Sequence, residues 1–252
     1  MRPLPKTHYK TQNLTPFFLT SDDESNGQML ARDGYEIRKA WCPVTPELLT
    51  EIAAIKTDPI FNDNPDHRSD RKRKQATISS TWSRAIRRRL AVEFPALKPS
   101  SMVVIESRPG CQRQAAHCDY IPTEDLLALS DEEIPLLFLL AVEPNTTLDV
   151  WPRSHQILRS AETQKIEQQK TEQQTTEKQK TENQSIHRTT LQLDAGDAIL
   201  FRADLVHAGS AYTEANRRVH LYLDNSDHHR DPNRTWIIYK HAPPTVRSLI
   251  IE

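Results

Sequence analysis

The sequence predicts a mainly β protein with a jelly-roll core and flanking helices. Its 252 residues are enough for one all-β domain with helical additions. From residue 101 onward the chain divides into short apolar or alternating segments separated by proline, glycine and asparagine. Their number approaches the eight strands of a double-sheet jelly roll. We expect an N-terminal strap or lid over residues 1–40 and a single jelly-roll domain over residues 41–252.

The first helix is predicted to begin after Thr45, because threonine caps helix N-termini and Pro46 fits the first turn. The apolar residues between positions 48 and 55 would form its buried face. Another helix is expected around residues 84–89, and a short helix or turn over residues 124–129.

The strands are predicted from alternation and from apolar runs of strand length. Residues 135–142 form a continuous apolar run, which is typical of a strand buried on both faces. The predicted strands are 102–107, 114–120, 135–142, 146–151, 189–193, 198–201, 217–223 and 234–239.

A low-complexity polar insertion is expected at about residues 161–186. Residues 163–187 divide into pentapeptides in which Gln and Glu recur every five residues. A five-residue period advances about 140° on a helix, so no face of the segment stays apolar. We interpret it as a polar insertion that does not build core, although Gln, Glu and Lys also permit a solvated helix.

Composition excludes several classes of protein. A formal net charge of −1 gives no global attraction to nucleic acid or to anionic lipid. The three cysteines form no close pair, which favours a reducing compartment. No apolar stretch resembles a signal peptide or a membrane span. We expect a soluble cytoplasmic protein, with a nuclear location also open.

Basic residues are concentrated between positions 68 and 89, where nine Lys and Arg face one acid, Asp70. Such a cluster can bind an anionic substrate or nucleic acid, or direct nuclear import. It can also be a solvated helix face and loop, which is the commoner case and the interpretation we favour.

Three residues could form a metal site. His117 and Asp119 lie two positions apart in a predicted strand, so both side chains would point to one face. His207 lies in a second strand-like stretch and could complete the group. Two imidazoles and one carboxylate suit non-haem Fe(II) and leave other coordination positions open.

The triplet alone carries little information, because roughly one His-x-Asp is expected by chance in a chain of this composition. His229 and Asp231 have the same spacing. They occur in a polar run that predicts an exposed turn. The strand context therefore favours His117 and Asp119.

The combination of His117-x-Asp119, Gly196-Asp197, His207-x-Gly209 and an arginine eleven residues later, Arg218, resembles the Fe(II)- and 2-oxoglutarate-dependent oxygenases. The similarity is closest to the phytanoyl-CoA-hydroxylase-like branch and covers roughly residues 100–224. Members of that branch carry a Pro-Gly-Ser-His element between the metal-ligand strands. Here that element reads Pro152-Arg153-Ser154-His155, with arginine replacing a glycine that serves a tight turn.

The resemblance implies a double-stranded β-helix of cupin-like topology and a dioxygenase that hydroxylates its substrate with release of succinate and CO2. It implies Fe(II) bound by His117, Asp119 and His207, with 2-oxoglutarate as cosubstrate. Arg218 would bind the distal carboxylate. A strand sends Arg217 and Arg218 to opposite faces, and Arg218 shares its face with His220 and Tyr222.

The sequence leaves the substrate open. A small molecule or peptide is the expected partner, with no membrane. The alternatives are a catalytically inactive jelly-roll protein that binds a metal or ligand, and an oxygenase that acts on nucleic acid. The second alternative rests on the basic cluster alone.

Deleting residues 163–186 should leave the melting temperature within a few degrees and iron affinity unchanged, because a polar repeat buries little apolar area. Circular dichroism during heating and an iron titration measure both effects. Loss of the folded state would show that the repeat packs on the core.

Overall fold

The computed structural model describes residues 23–60, 72–170, 185–231 and 234–251. Strands dominate this part of the chain. They are β1 (Tyr35–Arg38), β2 (Asp58–Pro59), β3 (Arg73–Thr77), β4 (Lys98–Ser107), β5 (His117–Cys118), β6 (Leu136–Ala141), β7 (Thr146–Val150), β8 (Ile186–His187), β9 (Thr189–Leu193), β10 (Ala198–Arg202), β11 (His207–Gly209), β12 (Asn216–Asp224), β13 (Trp236–Ile237) and β14 (Ile250–Ile251).

Helices flank the strands. They are α1 (Asp23–Asp33), α2 (Pro46–Ala54), α3 (Thr81–Glu93), α4 (Glu124–Leu127), α5 (Ser154–Lys170), α6 (Ile238–His241) and α7 (Pro244–Arg247). None of the helices in the described ranges is both long and apolar enough to cross a membrane.

Two antiparallel sheets form the body of the protein. The larger has the order β1-β10-β6-β12-β4-β3-β2, and the smaller has the order β13-β5-β11-β7-β9. Strands that are neighbours in a sheet are mostly distant in sequence, as expected for a jelly roll. The mainly β jelly-roll class predicted from the sequence is confirmed.

The core is built on the centre of the larger sheet. Strand β6 is buried at all six positions and lies between β10 and β12. This arrangement explains its unbroken apolar sequence, because both faces of the strand are covered. The prediction of a doubly buried strand at residues 135–142 is confirmed.

Local sequence determines where α2 and α3 begin. The Thr45 side chain accepts a hydrogen bond from the Leu48 amide, and Pro46 occupies the first turn of α2, as predicted. In α3, Ser80 and Ser83 satisfy each other's backbone amides in a capping box. Leu48 and Ile52 of α2, and Ile86 and Leu90 of α3, are buried against the core.

The predicted strand at residues 234–239 is wrong. Only Trp236–Ile237 pairs as β13, and the chain then turns into α6. A short apolar run does not distinguish strand from helix. The Ile237 amide donates to Nδ1 of His241, which is one turn ahead, so a local bond competes with strand pairing.

The predicted strand at residues 114–120 is also shorter than expected, since β5 contains only His117 and Cys118. The described part of the predicted strap, residues 23–40, contains α1 and the edge strand β1. Its role as a lid stays a prediction, and residues 1–22 lie outside the described ranges. The start of the predicted insertion belongs to α5, whereas residues 171–184 lie outside them.

The Arg153 turn keeps a glycine-like backbone without a glycine. Arg153 has a φ of +68°, in the left-handed region. Its amide donates to the Asp33 carbonyl at 3.0 Å, and its guanidinium reaches an Asp33 carboxylate oxygen at 3.3 Å. The contact with α1 thus holds arginine in a conformation that most residues avoid.

Replacing Arg153 should test this backbone constraint. Arg153→Gly and Arg153→Val both remove the exposed ion pair, which contributes at most about 1 kcal/mol. Valine is β-branched and disfavours positive φ, so it should lower the free energy of unfolding by about 1–3 kcal/mol more than glycine does. Urea unfolding of both variants measures the difference, and equal stability would mean that the turn relaxes.

Candidate metal centre

Two residues of the predicted metal site lie on paired strands, and the third directly follows one of them. Strand β11 lies between β5 and β7 in the smaller sheet. Its His207 is directly opposite His117 of β5 and also opposite Val150 of β7. Asp119 follows β5 by one residue. The register therefore brings together the side chains of His117 and His207, which are far apart in sequence.

His117, Asp119 and His207 form a buried cluster. One ligand atom from each residue lies within 4.8 Å of the others, and all three residues are buried. Nε2 of His117 is 3.5 Å from Oδ1 of Asp119, and the two imidazole centroids are 4.5 Å apart. Among the described residues, this is the group of three or more His, Cys, Asp or Glu that could hold a metal ion.

Backbone carbonyls orient both imidazoles. Nδ1 of His117 is 2.7 Å from the Ala115 carbonyl, and Nδ1 of His207 is 3.0 Å from the Leu205 carbonyl. A carbonyl oxygen only accepts, so each Nδ1 carries the proton and donates. The lone pair of each ring then lies on Nε2, which is the ligand arrangement typical of metal-binding histidines.

The electrostatics of the cluster suit a cation. Burial opposes ionisation of Asp119, but Arg230 and the two histidines lower the pKa of its carboxyl well below the usual value. Burial, followed by the neighbouring His117, lowers the pKa of His207 to about 4. At neutral pH, Asp119 is ionised and His207 is neutral, which are the forms that coordinate a metal. The residues present therefore fit an Fe(II) site of two imidazoles and one carboxylate.

Tyr222 fixes the second oxygen of Asp119. Its hydroxyl donates to Oδ2 at 2.9 Å, while Oδ1 faces His117. Burial, and after it the charge of Asp119, raise the pKa of Tyr222 well above its ordinary value, so the hydroxyl remains a donor. The sequence placed Tyr222 on the polar face of its strand but gave no sign of this bond.

Arg217 and Arg218 face opposite ways on β12. Arg218 is 2% exposed, and its guanidinium donates to the Ser107 hydroxyl at 2.9 Å and lies over the Tyr212 ring at 5.2 Å. The Arg217 side chain is 31% exposed and is 3.7 Å from Glu143. Strand alternation thus puts one guanidinium inside the protein and the other at its surface.

A cavity connects the cluster with Arg218. It encloses about 600 Å³ of space, part of which is open to solvent. Its lining includes the three residues of the cluster and Arg218, together with apolar side chains and the polar groups of further residues. The apolar lining residues are Ile60, Ile105, Leu139, Leu148 and Phe201, and the others include Arg73, Gln75, Gln114, His220, Tyr222 and Arg230.

Gly209 packs closely against two side chains of the cavity wall. A Cβ atom there would lie 2.4 Å from the Gln114 side-chain oxygen and 3.0 Å from the Arg73 guanidinium carbon. Its amide donates to that same oxygen of Gln114 at 2.8 Å. Any larger residue would displace these side chains, which accounts for the glycine two residues after His207.

The second His-x-Asp triplet lies apart from the cluster. The His229 side chain is 65% exposed and is 3.5 Å from Asp224. Asp231 is also exposed. The residue between them, Arg230, instead turns inward and lines the cavity. Sequence reasoning missed Arg230, because irregular backbone after β12 carries no periodicity that assigns a face.

Arginines in the described part of the basic cluster contact different parts of the protein. Arg87 donates to the Ser100 carbonyl, and Arg89 donates to the Trp41 carbonyl while its guanidinium lies 4.0 Å from the Trp41 ring centroid. Arg73 belongs to the cavity wall and donates to the Ser210 carbonyl. Residues 61–71 lie outside the described ranges. These bonds to the protein's own carbonyls favour a structural role for the arginines involved.

Comparison with known protein families shows to which family the chain belongs. Residues 49–219 match the phytanoyl-CoA dioxygenase (PhyH) family. The chain belongs to the phytanoyl-CoA dioxygenase family. The match includes His117, Asp119, His207 and Arg218, and it confirms the resemblance predicted from the sequence. Membership makes the protein an oxygenase-type enzyme.

Solved structures show the same fold. The epimerase SnoN, determined with Fe3+, alpha ketoglutarate and nogalamycin RO, is 16% identical, with 84% of this chain and 87% of that chain covered and a TM-score of 0.56. HygX from Streptomyces hygroscopicus, determined with nickel and 2-oxoglutarate, is 11% identical, with coverages of 83% and 88% and a TM-score of 0.55. No curated protein matches the chain.

The predicted cofactors agree with these findings. Iron and 2-oxoglutarate are bound in structures of this fold, and the chain itself contains a buried group of two histidines and an aspartate. The PhyH assignment therefore accords with iron and 2-oxoglutarate as cofactors.

Proposed function

We propose that this PhyH-family protein is an Fe(II)- and 2-oxoglutarate-dependent dioxygenase that hydroxylates a small organic molecule. His117, Asp119 and His207 would hold the iron, and Arg218 would bind the distal carboxylate of 2-oxoglutarate. The observation that carries the proposal is the buried His117, Asp119 and His207 cluster in the same cavity as a buried arginine.

The bound groups supply the oxidising chemistry. Fe(II), 2-oxoglutarate and O2 together provide an oxidant for an unactivated C–H bond, with release of succinate and CO2. The chain's own contribution is binding, orientation and exclusion of water.

Orientation of the metal ligands comes from bonds outside the cluster. The Ala115 and Leu205 carbonyls hold the imidazoles, and Tyr222 holds Asp119. Such outer bonds typically change metal affinity or activity 10- to 100-fold when they are removed. Phe201 packs edge-on against His207 with centroids 4.9 Å apart, which covers one side of the site from water.

Arg218 would determine how the cosubstrate lies. A guanidinium binds a carboxylate with two parallel hydrogen bonds, which fixes direction as well as position. The Ser107 hydroxyl and the Tyr212 ring limit the motion of Arg218 before any ligand arrives. Preorganisation of this kind lowers the entropic cost of binding.

The substrate is proposed to be a small molecule. SnoN and HygX have structures with nogalamycin RO and hygromycin B, respectively. The part-open cavity is lined by apolar side chains and a few polar groups, which is typical of sites for small ligands. The nucleic-acid alternative gains no support from Arg87 and Arg89, which donate to carbonyls of the protein itself.

Alanine variants test the metal ligands. His117→Ala, Asp119→Ala and His207→Ala should each abolish Fe(II) binding or 2-oxoglutarate turnover, since each removes one of three protein ligands. His229→Ala is the matched control because it removes an exposed histidine from the second triplet. Anaerobic Fe(II) titration and succinate release measure the two effects. Equal loss in His229→Ala would refute the assignment.

Alanine variants of the adjacent residues Arg217 and Arg218 test the proposed cosubstrate site. Arg218→Ala should raise the 2-oxoglutarate requirement at least tenfold while iron still binds, since loss of a buried charge pair costs about 2–5 kcal/mol. Arg217→Ala removes an equal charge from the surface and should change neither property. The absorption of the anaerobic iron–2-oxoglutarate complex gives both affinities, and normal affinity in Arg218→Ala would remove this residue from the site.

A further inference from the structure

The cavity contains more positive charge than the metal and cosubstrate neutralise. Its charged lining residues among those described are Arg73, Arg218, Arg230 and Asp119, so three positive charges face one negative charge and leave +2. Fe(II) adds two positive charges and 2-oxoglutarate adds two negative charges, which cancel. The proposed complex would still carry the excess of +2 before substrate binds.

Arg230 is the most accessible of the three arginines. Arg73 and Arg218 are 1% and 2% exposed, whereas the Arg230 side chain is 22% exposed. Arg73 donates to two backbone carbonyls, and Arg218 is the proposed cosubstrate arginine. Of the three arginines, Arg230 is therefore the most open to a molecule that enters from solvent.

Arg230 is held in position by its neighbours, although not all of its N–H donors form hydrogen bonds. Its guanidinium lies over the Tyr222 ring at 4.5 Å. Its Nε is 3.9 Å from Asp119 Oδ2, too far for a hydrogen bond, and this buried nitrogen has no hydrogen-bond partner within the described ranges.

Arg230 is not needed to hold Asp119 in place. Oδ2 of Asp119 already accepts from Tyr222, and Oδ1 faces His117. The guanidinium therefore contributes charge near Asp119 while its N–H groups remain suited to another anion. A buried donor without an acceptor costs free energy, which a ligand would recover.

We infer that Arg230 binds a carboxylate of the substrate, so that the substrate of this oxygenase is an organic acid with an apolar body. The inference rests on the proposed function. The apolar body is indicated by Ile60, Ile105, Leu139 and Leu148, which line the same cavity. An acid held at Arg230 would lie beside the metal cluster, with its chain along these apolar residues.

The test compares acids with neutral molecules of the same shape. The probes are straight-chain carboxylates from butanoate to dodecanoate, each matched with its primary amide. Calorimetry measures their affinity for protein loaded anaerobically with Fe(II) and saturating 2-oxoglutarate, so that Arg218 is occupied. The best acid should bind at least tenfold more tightly than its amide. Equal affinity, or no measurable binding of any acid, would overturn the inference.

Variants of Arg230 test whether this residue causes the preference for acids over amides. Arg230→Gln should remove the preference for acids, and Arg230→Lys should restore part of it. Arg234→Gln is the control, because it removes the same charge four positions away from an exposed side chain. If Arg230→Gln keeps the preference and instead weakens Fe(II) binding, Arg230 acts on Asp119 and the inference is wrong.

The absorption band of the iron–2-oxoglutarate complex distinguishes failure of this inference from failure of the proposed function. Absence of the band in wild-type protein would overturn the proposed function. In that case the same titrations of metal-free Arg218→Ala protein, with and without Arg230→Gln, still decide whether Arg230 selects acids. A preference that vanishes with Arg230 supports the inference, and one that persists overturns it.

Discussion

The site depends on keeping one buried carboxylate ionised. Asp119 is 7% exposed, and burial of a lone charge costs several kcal/mol. Its neighbours offset that cost in different ways: Arg230 by charge, His117 across 3.5 Å, and Tyr222 by a hydrogen bond. A divalent cation between Asp119 and the histidines would offset it further. Strands β5, β11 and β12 bring these groups to one point.

Strand register brings the two histidines together. His207 lies opposite His117, and a slip of one residue would turn its imidazole to the other face of the sheet. Strand β12 serves both the core and the site. Val219, Leu221 and Leu223 are fully buried in the core, while Arg218, His220 and Tyr222 line the cavity. Stability and site geometry therefore depend on the same hydrogen-bonded ladder.

The sequence predicted the parts of the structure that repeat with a strand or helix period. The doubly buried β6, the capped start of α2 and the opposite faces of Arg217 and Arg218 all follow from local rules. It did not predict β13 and α6, because the apolar run at residues 236–238 fits either structure until tertiary pairing decides. The inward turn of Arg230 and the bond from Tyr222 to Asp119 arise from tertiary contacts, which leave no mark in a single sequence.

Arg153 shows how a local rule can be broken without loss of the fold. A glycine would adopt φ of +68° freely, whereas arginine does so here with its backbone and side chain both bonded to Asp33. The hydroxyl oxygen of the next residue, Ser154, accepts a hydrogen bond from the amide of Val206, the residue directly before His207. One hydrogen bond therefore links the turn to the residue that precedes His207.

The two ends of the cavity differ in how firmly they are fixed. The proposed metal ligands and Arg218 lie on or beside strands, where ladder hydrogen bonds define position, whereas Arg230 lies on irregular backbone after β12. Folds commonly separate chemistry from specificity in this way, with rigid elements carrying the first and loops the second. Tyr222 joins the ends, since it stacks under Arg230 and donates to Asp119. An acid bound at Arg230 would neutralise the positive charge that faces Asp119, so substrate binding would strengthen the negative charge that Asp119 presents to the metal. One guanidinium would thereby couple occupancy of the proposed substrate site to the charge environment of Asp119.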